Sequence, residues 1–347
     1  MITPPAPAPL QDVIAALAHD RPLEQAAVAA AFDIVMQGNA SPVQISALLT
    51  GLRVRGESAE VVAGAASALR RAMVRFVIED RDSDVDTCGT GGGSLGTFNI
   101  STAAALVAAG AGVRVAKHGN RSFTSKSGSA DVLEALGVDI DVESDAMHRA
   151  FASAGIVFMF APRMHPAMRY VGPVRRELGV PTVMNIIGPL ANPASAGRQV
   201  IGVADAIRAP VIARALAALG TVHSLVVHGE PGMDEVSPLG RTRVLEVRGG
   251  TVTEWTVEPA ELGAGAALPS ELAGGTPEQN AELVRACLDG SAPRGAIAAV
   301  VVNAGAAVYV AGAARSLPEG VEIARAAIAN GSAMAALEKL RAALPRS

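Results

Sequence analysis

The sequence predicts an α/β protein in two parts, a small helical region at the N-terminus and a larger region built on a mainly parallel sheet. Three observations predict it. No strand pattern occurs before about residue 76, and the apolar residues up to that point recur with helical spacing. From Val77 onward short apolar runs alternate with helical stretches, the pattern of βαβ units. At the first crossover a glycine loop, Gly89-Thr90-Gly91-Gly92-Gly93, separates a strand from an apolar helix, the arrangement that leaves backbone N–H groups free to cradle an anion.

Within residues 10–75, Ser41-Pro42-Val43-Gln44 combines an N-cap, a proline at the first helical position and a capping-box glutamine. Val43, Ile45, Leu48, Leu49 and Leu52 follow at roughly helical spacing, and Gly56 ends the segment. Ser58 is placed to cap the next helix, which carries Val61, Val62, Leu69 and Met73. These helices cannot bury all their apolar faces alone, and dimerisation through this region is the expected remedy.

Residues 84–88 form the strand entering the glycine loop, and 103–109 the apolar helix leaving it. Further strands are expected at 113–116, 156–160, 200–203 and 225–227, with helices at 131–136 and 210–219 between them. Residues 243–257 alternate around Gly249-Gly250, a hairpin signal. Residues 295–312 are apolar and rich in small side chains and read as a buried helix. Residues 168–178 are helical and follow a strand that ends at Ala161-Pro162.

Composition sets limits. The chain has 347 residues, enough for a large core and two domains. Half of them are hydrophobic but only 3% aromatic, so the core must be built from Ala, Val, Leu and Ile. A net charge of −4 gives no reason to expect nucleic acid or an acidic membrane surface as partner. An anionic ligand must then be attracted locally, and Lys117, Arg121 and Lys126 are concentrated where that would happen. Cys88 and Cys287 match no metal or redox spacing, and a cytoplasmic location is the simplest expectation. The proline-rich start MITPPAPAPL reads as a frayed tail rather than a signal. No apolar run reaches spanning length without interruption by charge, Gly or Pro.

Two phosphate-type half-sites stand one βαβ unit apart. The glycine loop, with Asn99, Ser101 and Thr102 after it, is the first. The second is Lys117-His118-Gly119-Asn120-Arg121, followed by the hydroxyls of Ser122, Thr124, Ser125 and Ser127. Such spacing suits a ligand with phosphate at both ends. Gly91, Gly93 and Gly96 also fit a dinucleotide fingerprint, but that motif needs an acidic residue about 20 positions on, and no carboxylate lies between Asp86 and Asp131. A purely structural turn is the remaining alternative. Asp234 and Glu235, adjacent carboxylates on a glycine-flanked loop, suit magnesium, although such a pair is also common in solvated turns.

The segments GTGG, TFNIST, AKHGNRS and SKSGSADVLEALGV resemble those of the anthranilate phosphoribosyltransferases. So do HPAMRYVGPVRRELG (165–179), NIIGPLANP (185–193) and HGEPGMDEVSP (228–238), and the likeness runs in order through most of the chain. That family joins anthranilate to phosphoribosyl pyrophosphate (PRPP) in tryptophan biosynthesis and is usually dimeric. The resemblance implies a discontinuous helical domain, residues 1–80 and about 165–190, and an α/β phosphoribosyl-binding domain, 81–164 and 191–347. It implies PRPP contacts at Gly89, Gly92, Gly93, Thr97, Asn99, Ile100, Ser101, Thr102, Lys117, His118, Gly119, Asn120, Arg121, Ser122, Phe123, Thr124, Ser125 and Ser129. Gly89, His118, Asn120 and Arg175 match anthranilate contacts, and Ser101, Asp234 and Glu235 match magnesium ligands (Mg2+). Positioning and electrostatics carry the expected catalysis, with His118 as a candidate catalytic group. The family's glycine loop commonly ends in aspartate, where this chain has Gly93. Pro162 and Gly188-Pro189 lie at the crossings between the implied domains and are expected hinges, and Phe123 is placed to line the aromatic substrate's approach.

Two other functions fit parts of the pattern. A pyrimidine nucleoside phosphorylase would share the fold, but KHGNRS and VRRELG resemble the anthranilate branch. A non-catalytic nucleic-acid-binding relative would not need the Asp234–Glu235 pair and sits poorly with the negative net charge.

Overall fold

The computed structural model describes residues 8–122, 126–265 and 267–346. Helices come first: α1 (Ala8–Ala18), α2 (Gln25–Met36), α3 (Pro42–Arg55) and α4 (Ala59–Ala72). The capping box at Ser41 is formed, its Oγ accepting from Gln44 N–H while Gln44 Oε1 accepts from Ser41 N–H. Ser58 caps α4 in the same way, accepting from Val61 N–H.

The α/β part follows, with β1 (Val85–Gly89), α5 (Ile100–Gly110), β2 (Val115–Gly119), α6 (Ser129–Ala135), α7 (Ser144–Ala154) and β3 (Ile156–Phe160). A short α8 (Ala161–Met164) and α9 (Met168–Leu178) lead to β4 (Arg198–Gly202), α10 (Ala209–Ala218) and β5 (His223–Gly229). A hairpin of β6 (Thr242–Arg248) and β7 (Thr251–Val257) turns at Gly249 and Gly250, both with positive φ. The last helices are α11 (Pro277–Asp289), α12 (Arg294–Ala311), α13 (Leu317–Ala329) and α14 (Ser332–Ala343).

The strands form one sheet in the order β3-β2-β1-β4-β5-β6-β7. From β3 to β5 every pairing is parallel, and the hairpin adds an antiparallel edge. Strand order runs outward from β1 in both directions, so the sheet reverses between β1 and β4. The crevice beyond the carboxyl ends of strands at such a point is where open α/β sheets bind ligands. Four strands end there in glycine: Gly89, Gly119, Gly202 and Gly229.

Side chains alternate across the sheet with the two-residue period of strands. Val200, Leu225 and Val227 join the core formed with α5 and α11 to α14, whereas Ile201 and Val226 face the opposite way. That second core contains the apolar faces of α1 to α4, part of α9, residues 183–191 and α10. Much of the apolar surface of the N-terminal helices is therefore covered within the chain, by α9, α10 and one face of the sheet, while Val43 and Val54 of α3 stay exposed.

As the composition requires, alanine and valine fill the interior. On α12 and α13, Gly305 and Gly320 allow near-contact: a Cβ on Gly305 would lie 2.6 Å from Val321 N, and one on Gly320 would lie 2.4 Å from Gly305 O. By length and composition α12 could cross a membrane, but 72% of its span is buried inside the protein, where it serves as the core helix.

Candidate active site

Asp84 and Asp86 anchor the strand that carries the glycine loop. Both are fully buried. Asp84 pairs with Arg114 at 3.0 Å, and Asp86 Oδ1 accepts the His118 N–H at 3.1 Å, tying the end of β2 to β1. Burial raises the pKa of both carboxylates, with Lys117 opposing the rise at Asp86.

The chain then leaves β1 at Gly89. Gly91 and Gly92 have φ of +68° and +81°, which glycine adopts without strain. Thr90 N–H donates to Gly202 O at 2.9 Å, and Gly91 N–H donates to Asp234 Oδ2 at 3.0 Å. A side chain at Gly89 or Gly93 would meet that carboxylate, since added Cβ atoms would fall 2.8 and 2.9 Å from its oxygens. The glycine at 93 thus leaves room for Asp234. Gly202 is equally constrained, because a Cβ there would lie 1.6 Å from Asp234 O.

At the start of α5, Asn99 is committed sideways rather than to the helix. Its Oδ1 accepts from Ser127 Oγ at 3.2 Å and from Asn280 Nδ2 at 2.9 Å, and its Nδ2 donates to Ser127 O. Ile100 is a core residue, 1% exposed. Thr102 is buried with its Oγ1 unpartnered. The Thr97 N–H is held by Leu95 O. Lys117 runs inward from β2, where its ammonium donates to Thr87 O and reaches Ser101 Oγ at 3.5 Å. Burial lowers its pKa, while Asp86 and Glu235 oppose the fall.

The second half-site begins at Gly119, where a Cβ would fall 2.2 Å from Ser129 Oγ. Ser129 Oγ and Ala130 N–H both bond Asn120 O, and Asp131 accepts from the N–H groups of Ser122 and Gly128. Arg121 points along the surface to Asp131 and Glu134 and lies over the Phe160 ring. The Arg121 guanidinium is thus held by two carboxylates of α6. Phe123, Thr124 and Ser125 lie outside the described residues.

His118 stands against His165, their Nε2 atoms 3.2 Å apart. Burial, then the neighbouring His165, pushes the His118 pKa well below its ordinary value, and burial brings His165 down to about 4. Both rings are neutral at pH 7. His165 was not singled out in the sequence, although it opens the HPAM segment. Arg175, on α9, is half-buried and has no hydrogen-bond or ion-pair partner among the described residues, and burial lowers its pKa.

Asp234 and Glu235 lie on the loop after β5, and both are desolvated. Burial, then the Asp234 charge, raises the Glu235 pKa to about 8. Burial likewise raises that of Asp234. Two crowded carboxylates at one point call for a cation. With the Ser101 hydroxyl nearby, the donor set is all oxygen, which fits magnesium, an ion that takes few protein ligands and keeps waters or substrate oxygens. Among the described residues no group of three or more His, Cys, Asp or Glu side chains gathers as a closed metal cage.

Residues 81–334 match the family model described as the glycosyl transferase family a/b domain, and residues 11–73 match its helical bundle domain. An anthranilate phosphoribosyltransferase from Rubrobacter xylanophilus is 48% identical over 95% of this chain and 96% of its own length. The crystal structure of the Thermus thermophilus anthranilate phosphoribosyltransferase superposes with a TM-score of 0.90 at 43% identity, covering 96% of this chain and 99% of that one. The Saccharomyces cerevisiae enzyme in complex with PRPP and Mg gives a TM-score of 0.85 at 29% identity, covering 97% and 98%. In complex with 4-fluoroanthranilate it gives 0.84 at 27% identity, covering 97% and 98%. The chain belongs to the anthranilate phosphoribosyltransferase family.

Proposed function

We infer that this chain transfers the phosphoribosyl group of PRPP to the amine of anthranilate, giving N-(5-phosphoribosyl)anthranilate and pyrophosphate, in tryptophan biosynthesis. The observation that carries the reading is the switch-point crevice, where glycine-ended strands set a backbone cradle beside the Asp234–Glu235 pair. In the reaction the bond from the anomeric carbon to pyrophosphate breaks, a carbon–nitrogen bond forms, and the nitrogen loses a proton. An aryl amine already has a free lone pair at pH 7, so positioning matters more than a dedicated base.

The residues take these roles. Gly89, Gly92, Gly93, Thr97, Asn99, Ile100, Ser101, Thr102, Lys117 through Ser125 and Ser129 form the PRPP site, with Lys117 a buried cation beside Ser101. Asp234, Glu235 and Ser101 would hold magnesium, which when bound offsets the charge of the departing pyrophosphate. Arg175 is the one we assign to the anthranilate carboxylate, because its half-buried guanidinium, which has no partner among the described residues, is a bidentate donor. Neutral His118 and Asn120 orient the ring and amine.

Residues 1–80 and about 165–190 form one domain in this reading, and 81–164 with 191–347 the other. The protein acts in the cytoplasm as a homodimer joined through the helical domain, with neither nucleic acid nor membrane as partner. Val43 and Val54, 78% and 83% exposed on α3, stand eleven positions apart and so on one helix face, which supports that surface. Sedimentation of wild type against Val43→Glu/Val54→Glu tests it, a monomeric wild type being the contrary result. The reaction is tested by incubating the chain with PRPP, magnesium and anthranilate and following the loss of anthranilate fluorescence. No loss would overturn the reading, and so would phosphorolysis of thymidine or uridine in its place.

A further inference from the structure

The glycine loop of the free chain already holds an anion, and that anion is the protein's own. Gly91 N–H donates to Asp234 Oδ2 at 3.0 Å. The same carboxylate packs against Gly89 and Gly93, where added Cβ atoms would fall 2.8 and 2.9 Å from its oxygens, so a side chain at either position would require the carboxylate to shift. One residue beyond, Ser94 ties the two loops together again. Its N–H donates to Gly232 O at 3.1 Å and its Oγ to Pro231 O at 2.8 Å. Ser94 is exposed and belongs to none of the phosphate- or metal-binding groups named above.

We propose that Asp234 and Ser94 latch the glycine loop shut in the free chain, and that the diphosphate of an incoming substrate binds by exchange, taking the Gly91 N–H from the Asp234 carboxylate. The proposal rests on the reading of this loop as the diphosphate site. Its physical basis is exclusion. A single N–H cannot give a full bond to two oxygens, and a carboxylate in the cradle repels a second anion at contact distance. The Asp234 carboxylate released from Gly91 is the same group that would take up a cation, so opening the cradle and filling the metal site are two sides of one movement. Gly93 leaves the carboxylate in this position undisturbed, since a Cβ there would fall 2.9 Å from Asp234 Oδ1.

The test uses the full chain in EDTA with inorganic pyrophosphate as the probe, titrated calorimetrically. Asp234→Ala and Asp234→Asn both remove the charge, but only asparagine retains an oxygen acceptor for Gly91 N–H. The latch predicts that Asp234→Ala binds pyrophosphate at least about fivefold more tightly than Asp234→Asn, the worth of roughly one net hydrogen bond. The Gly91 amide should also exchange with solvent faster in Asp234→Ala by a similar factor. Ser94→Ala, which leaves Asp234 in place, should speed Gly91 exchange about two- to fivefold while kcat at saturating substrates is unchanged. Equal pyrophosphate affinity in the two Asp234 variants overturns the proposal, and so does unaltered Gly91 exchange in Ser94→Ala should the Asp234 variants fail to fold. Failure of the underlying reading looks different, because then wild type with magnesium would not bind pyrophosphate either.

Discussion

Arg175 offers the sharpest separation of the two substrates. Its guanidinium is half-buried, its pKa is lowered by that burial, and no side chain or carbonyl among the described residues pairs with it. The free chain therefore carries the desolvation of this cation without compensation. Replacing it by alanine removes no native hydrogen bond, so thermal stability should hold or rise slightly. Binding should suffer instead. A charge-assisted contact to a carboxylate contributes about 1.5–3 kcal/mol, which is about 10- to 150-fold in affinity. Arg175→Ala should raise the KM for anthranilate by that factor and the KM for PRPP by less than about threefold, since the groups proposed for PRPP lie on other elements. Arg175→Lys should recover only part, because an ammonium lacks the two-pronged donor geometry. Steady-state kinetics with each substrate varied in turn, beside a melting curve, checks this. A clear fall in melting temperature with both KM values moving together would refute the assignment and make Arg175 a packing residue of α9.

Asp234→Asn combined with Glu235→Gln should lower kcat by several decades, as losses of comparable electrostatic groups cost about 3–4 kcal/mol each, and near-normal activity at saturating magnesium would end the metal assignment. Glu235 also predicts a pH effect on stability. Its folded pKa is raised to about 8 from 4.5, so the folded form holds the proton more tightly than the unfolded chain. The stability it contributes is full below about 4.5 and is lost as pH rises towards 8, with a slope of up to about 1.4 kcal/mol per pH unit. Melting curves in EDTA should therefore show Glu235→Gln less sensitive to pH than wild type in this window, and equal slopes would contradict it. Gly202→Ala should cost about 1–3 kcal/mol of stability and disturb pyrophosphate binding, because its Cβ has only the Asp234 backbone to meet. A stable, active Gly202→Ala chain would show that the 229–235 loop is softer than its packing implies.

Much of the fold was legible because local signals and tertiary context agree. The capping box at Ser41, the strand at 156–160, the hairpin about Gly249-Gly250 and the buried helix of 294–311 all lie where spacing and turn chemistry placed them. Helices α7, α11, α13 and α14 were not singled out, although Thr276 begins a full capping box. In α14 five of the eight apolar residues are alanine, which weakens a pattern carried by Met334, Leu337 and Leu340. In the site, the glycine loop and the carboxylate pair could be read from residue type alone. The constraint on Gly202 could not, because it arises from a loop thirty-two positions later folding over β4. Nor could the ion pairs of Arg121 with Asp131 and Glu134 on the next helix. His165 carried a signal in its own segment, but its significance lies in a ring 47 positions away.

At the crossing between the two proposed domains, side-chain chemistry opposes a sequence signal for flexibility. Gly188-Pro189 looks like a hinge, yet its carbonyls are claimed in turn by groups from both sides. Pro189 O accepts from buried Gln199 at 2.8 Å and Leu190 O from Arg70 at 2.6 Å, while Asn192 donates to Ala116 O at 2.8 Å and accepts from Ala194 N–H. Burial lowers the Arg70 pKa to about 10, so its bond to Leu190 is made by a largely desolvated cation. At about 0.5–1.5 kcal/mol net for each ordinary bond and more for the charged one, opening this crossing would cost several kcal/mol. The glycine loop and the 229–235 loop are held to each other by a similar number of bonds, but those made by side chains are exposed. Motion on substrate binding should therefore be confined to those loops. Adding a non-reactive PRPP analogue with magnesium should slow hydrogen exchange across 89–94 and 229–235 and leave 188–192 protected to the same degree as before. A change centred on 188–192 would return the hinge to the crossing and show that Arg70 and Gln199 let go during the catalytic cycle.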